Sequence, residues 1–135
     1  MILLVCAFGT VAQAAFINIG FETGDFTGWS FEGATGYRAV LKEDDAPYGG
    51  HYAQINGGPG NQWVSIAQTA YLDAGTILDG FAKFDYRDYG YRDSMQVEIV
   101  DDSSDSKVLF SQALTDIDWT AWQYVIPEDG DYTLR

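Results

Sequence analysis

Along most of the chain apolar and polar residues alternate with a period of two, the spacing of a strand that buries one face. From Ser94 to Val100, Met95, Val97 and Ile99 alternate with Gln96 and Glu98. Tyr37, Ala39 and Leu41 alternate with Arg38, Val40 and Lys42, and Trp122, Tyr124 and Ile126 share one face of the run Ala121 to Ile126. Leu78, Ala82, Phe84 and Tyr86 lie on one side of a longer stretch. His51 to Asn56 and Trp63 to Ala70 read as two more strands, parted by Gly57-Gly58-Pro59-Gly60. Asp101-Asp102-Ser103-Ser104-Asp105 has the residues of a hairpin loop between the strand ending at Val100 and a partner at Lys107 to Ser111. No stretch of eleven residues keeps the 3.6-residue period of an amphipathic helix. Short strands separated by Gly, Asp, Asn and Pro clusters predict an all-β, antiparallel sandwich.

The first fifteen residues break this pattern. Met1 to Ala15 is an uncharged apolar run ending in small residues at Ala12, Ala14 and Ala15. It reads as the apolar core and A-x-A cleavage site of a secretory signal peptide, without the usual basic start. The alternative for so short a run is a buried N-terminal strand, because it is too short to span a bilayer as a helix. Cleavage would remove Cys6, the only cysteine, and Val5 before it does not suit a lipoprotein signal. Residues 16–135 would then form one secreted β-sandwich domain with neither a disulfide nor a thiol nucleophile.

The charge of the chain narrows its partners. All its charged side chains lie after Ala15, and Asp plus Glu outnumber Lys plus Arg by 20 to 7. A net charge of -13 repels phosphate backbones and anionic membrane surfaces, which excludes nucleic-acid binding and membrane insertion as expectations. The one histidine, His51, stands in a strand with no partner motif, and no Gly-x-Ser-x-Gly elbow or His-Glu-x-x-His helix is present. The chain is therefore expected to be non-catalytic. A glycoside hydrolase or polysaccharide lyase accessory fragment is the remaining enzyme-linked reading, since hydrolysis needs only two well-placed carboxylates.

Three stretches carry a resemblance. Asn18-Ile19-Gly20-Phe21-Glu22-Thr23-Gly24-Asp25-Phe26-Thr27-Gly28-Trp29 resembles the opening of secreted bacterial proteins of PEP-CTERM type that carry a jelly-roll, galactose-binding-like domain, an opening shared with several families of carbohydrate-binding modules. Tyr48-Gly49-Gly50-His51-Tyr52-Ala53-Gln54-Ile55 with Ile66-Ala67-Gln68-Thr69, and the closing run Trp122 to Arg135, are similar to later landmarks of the same group. The resemblance implies a jelly-roll sandwich, export to the cell surface, and binding of a polysaccharide or other glycan. It also implies a last strand with an Asp pair beyond the position of Arg135, so that this chain is expected to be a piece of a longer product. A structural Ca²⁺ is implied between the opening segment and that strand, with Glu22 giving a carboxylate and Asn18 an oxygen. A hard cation takes six to eight such ligands. The plainer reading makes Asn18 and Glu22 turn residues around a buried Phe21.

The run from Phe84 to Asp93 packs three tyrosines, two arginines and three aspartates into ten residues between two strands. Flat aromatic faces stack on sugar C–H surfaces, and Asp or Arg makes paired hydrogen bonds to hydroxyls. Tyr89, Tyr91, Arg87 and Asp88 are thus the first candidate sugar contacts, and Trp63, beside the glycine-rich loop, is a second platform. Trp29, Trp119 and Trp122 are assigned to the core by their strand contexts. An adhesive or matrix role without a specific sugar is the rival reading.

Overall fold

The computed structural model describes residues 2–6, 16–47, 50–57, 62–86 and 93–135. Ten strands and no helix are found among them. They are β1 (Ile2–Cys6), β2 (Ser30–Gly33), β3 (Arg38–Lys42), β4 (His51–Ile55), β5 (Val64–Leu72), β6 (Ile77–Phe84), β7 (Ser94–Val100), β8 (Ser106–Ala113), β9 (Ile117–Val125) and β10 (Gly130–Leu134). Every pairing is antiparallel, in two five-stranded sheets of order β3-β4-β1-β6-β9 and β2-β5-β10-β7-β8. Ala53, Ile55, Leu78, Ala82, Phe84 and Trp122 of the first sheet share one buried cluster with Val64, Ile66, Met95, Val97, Ile99, Tyr132 and Leu134 of the second. This arrangement is consistent with a β-sandwich.

The period-two pattern finds its physical cause in that cluster. In β7 Met95, Val97 and Ile99 are buried, and in β6 Leu78, Gly80, Ala82 and Phe84. The β7–β8 connection is the expected hairpin, closed by the Asp101 carboxylate accepting the N–H groups of Ser103 and Asp105, both at 2.9 Å. Trp29 and Trp122 are buried as expected, while Trp119 packs beside Tyr52 in a smaller cluster. The strand β2 has no signature in the alternation, because all four of its residues are exposed at a sheet edge.

The segment read as an export signal supplies β1. Leu4 pairs with Ala53 of β4 and with Ala82 of β6, so Ile2–Cys6 takes the central place in the first sheet. An uncharged apolar run suits a strand with neighbours on both sides as well as it suits a signal core.

The opening segment is fastened to the second sheet. The Gln68 side chain accepts the Ile17 N–H and donates to the Ile17 carbonyl at 2.9 Å, so its buried amide is satisfied by the backbone of the first turn. Asn18 and Phe21 take φ values of 51° and 60°. Such conformations cost a bulky residue about 1–3 kcal/mol. The complete burial of Phe21 holds it there, stacked at 5.2 Å on Trp29, whose indole N–H donates to the Asn18 carbonyl at 3.1 Å.

Candidate functional site

Outward-facing side chains of the second sheet form a row across four strands. Glu32 of β2, Arg135 at the end of β10, Glu98 of β7 and Ser106 of β8 are linked in that order. An Arg135 guanidinium N–H lies 3.9 Å from Glu32, its Nε–H donates to Glu98 Oε1, and Ser106 Oγ–H donates to Glu98 Oε2. Glu98 is almost fully buried, whereas Arg135 and Glu32 remain about four-tenths exposed. Burial pushes the Glu98 carboxyl up, but the hydrogen bonds from Ser106 and Arg135 and the charge of Arg135 outweigh it and leave it below its ordinary value. The β7–β8 ladder shifts register at this point, between Val97 and Glu98. Bulges of this kind redirect side chains at edges and sites.

Trp63 stands beside this row with half its surface exposed. Its place is set by the backbone: the Ala34 N–H donates to the Trp63 carbonyl at 2.7 Å, and Gly33, at φ 75°, passes so close that a methyl there would lie 2.2 Å from that oxygen. Only glycine fits this crossing. The indole borders two hollows. The shallower, of about 240 Å³, is lined by Trp63, Met95, Ala113 and the neutral polar residues Ser94, Gln96, Ser111 and Gln112. The deeper, of about 400 Å³, passes between β5 and β7 to Ile55 of the facing sheet.

The other expected contacts fall in different places. Tyr89, Tyr91, Arg87 and Asp88 lie outside the described residues. The chain resumes at Asp93, next to Ser94 on the rim of the shallow hollow. Asn18 and Glu22 belong to separate networks. The Asn18 amide donates to the Asp25 carbonyl at 2.8 Å and accepts the Thr23 N–H at 3.1 Å, while Glu22 Oε2 faces His51 Nδ1 at 3.2 Å. Among the described residues no three His, Cys, Asp or Glu side chains gather in a way that could hold a metal. As they stand, Asn18 and Glu22 do not fit a shared Ca²⁺ shell. One serves the turn and the other the histidine.

Sequence reasoning named Trp63 as a candidate, which the structure leaves half-exposed, and did not single out Glu98, Arg135, Ser106 or Gln96. Alternation had placed Gln96 and Glu98 on the outer face, yet nothing local told that Arg135, far along the chain, would cover Glu98. Comparison with protein-family models, curated proteins and solved structures finds no match.

Proposed function

We propose that this chain is a secreted, non-catalytic module that binds a glycan at the Trp63 hollow. The observation that carries the reading is a half-exposed Trp63, its backbone held at the Gly33–Ala34 crossing, at a hollow edged by two hydroxyls and two amides. A sugar offers a C–H face to an aromatic ring and hydroxyls to neutral donors and acceptors, and this combination answers both. Tyr89, Tyr91, Arg87 and Asp88, which precede Asp93 and Ser94 in the chain, are retained as further candidate sugar contacts on their residue types alone. The strand order, with consecutive strands passing between two sheets, supports a jelly-roll sandwich of galactose-binding-like type.

A glycan array followed by calorimetry tests the reading. Trp63→Ala is expected to weaken the bound glycan at least about tenfold, as removal of an aromatic anchor does. Tyr89→Ala with Tyr91→Ala is expected to add to that loss. Unchanged affinity in Trp63→Ala removes this hollow as the site, and silence of the whole array favours the adhesive, matrix reading.

A further inference from the structure

Asn56 and Gly57 stand where β4 ends and the glycine-rich loop begins, and the two are placed for a reaction of the chain with itself. An asparagine side-chain amide lies within reach of the backbone nitrogen of the next residue. Attack is normally prevented by a bulky following residue, by a hydrogen bond that occupies its N–H, or by a clamp on the asparagine. Asn18 has such protection. Its amide is held at both ends, by Asp25 and Thr23, and the buried, β-branched Ile19 follows it. Asn56 is followed by Gly57, which is exposed and has no Cβ to crowd its nitrogen. The Asn56 N–H is fastened to the Tyr37 carbonyl at 3.0 Å, but the Gly57 N–H has no partner among the described residues.

The Gln54 side chain supplies the electrophilic half. Two residues apart on an extended backbone, Gln54 and Asn56 point to the same side, and Gln54 Nε2–H donates to Asn56 Oδ1 at 3.3 Å. A donor on that oxygen draws charge from the amide carbon and stabilises the oxyanion formed when a nucleophile adds to it. The other end of the amide, Nδ2, has no partner among the described residues, and it is the group that must leave.

We propose that Asn56 is a self-modification site, deamidated by the Gly57 backbone nitrogen, with Gln54 as its positioning residue. The Gly57 nitrogen gives its proton to water and bonds to Asn56 Cγ. The bond from Cγ to Nδ2 then breaks and ammonia departs with a proton, leaving a succinimide. Water opens this ring on either side. Opening at Cγ gives an ordinary aspartate, and opening at the main-chain carbonyl gives an isoaspartate whose backbone is one methylene longer. No oxidant or reductant takes part. The chain becomes one charge more negative, at a corner where an Asp93 carboxylate oxygen already lies 3.9 Å from the position of a methyl on Gly57. The proposal does not draw on glycan binding.

The test incubates the folded full chain in mildly alkaline buffer and follows its peptides by mass spectrometry, isoaspartate detection and ammonia release. Conversion is expected at Asn56, with aspartate and isoaspartate both formed, and Asn18 is expected to stay intact. Gly57→Ala meets no close neighbour among the described residues and is expected to slow conversion at least about tenfold, since its methyl crowds the nucleophile. Gln54→Leu and Gln54→Glu, each checked for folding by melting, are expected to slow conversion about fivefold, the effect of losing one ordinary hydrogen bond. Gln54→Lys, which keeps a donor, is expected to retain the rate. In urea, where the contact is gone, all four chains are expected to convert alike. An Asn56 that stays intact in the folded chain after it has converted in urea overturns the proposal. Equal rates for the parent, Gln54→Leu and Gln54→Glu in the folded state overturn the role of Gln54.

Discussion

Two carboxyls illustrate how single residues set the pH response. Asp79 of β6 has a buried oxygen with no hydrogen-bond partner among the described residues, and burial pushes its carboxyl above the ordinary 3.8. Such a group holds its proton more tightly in the folded than in the unfolded chain, so it opposes stability increasingly as pH rises through that interval. Asp79→Asn is therefore expected to melt higher than the parent at pH 7, with the difference shrinking towards pH 3. A difference that grows on acidification would show that the assigned sign is wrong. Glu98 has the opposite slope, since its lowered carboxyl contributes stability above its ordinary range and loses it as pH falls through the folded value. At Gly33 the constraint is steric: Gly33→Ala sets a methyl against the Trp63 carbonyl at a positive φ. Moving that strand end is expected to cost about 1–3 kcal/mol and to weaken glycan binding without touching a sugar contact, measured by melting and calorimetry together.

Among the elements, legibility in the sequence followed burial. Ser94–Val100 was readable to the residue because one of its faces packs on the core, and β4, β5 and β6 were readable for the same reason. Strand β2 was not, since Phe31, opposite Ile66, lies exposed under the Arg38 guanidinium at 4.9 Å and no buried residue marks the period. Trp63 was named as a candidate for its place beside a glycine-rich loop, but the Glu32–Arg135–Glu98–Ser106 row joins four strands and has no local signal at all. For β1, the same apolar run satisfied two readings. A chain that begins at Phe16 leaves β4 and β6 with open edges in mid-sheet. It is expected to melt lower by roughly 10 °C or more than the full chain, and an unchanged midpoint would assign Met1–Ala15 to export alone.

On the scale of the whole molecule, each sheet depends on pairings between distant parts of the chain. The first sheet joins Leu4 to Ala53 and Ala82, and the second joins Thr69 to Thr133, whose hydroxyls meet at 2.7 Å. The acidic surface does not gather into a metal cluster among the described residues. The fold there rests instead on a continuous apolar core and on side chains such as Gln68 and Arg38 that bind backbone carbonyls across strands.

The place of β1 also governs timing. Ile2–Cys6 precedes both of its neighbours by a long stretch of chain, and the second is complete only at Phe84. Closing loops of that length before any ladder bond forms is slow compared with local hairpins such as β7–β8. Strand β1 therefore completes its pairing only after the later strands that enclose it are present. Assembly of the first sheet is thus expected to wait on its last partner and not on its first.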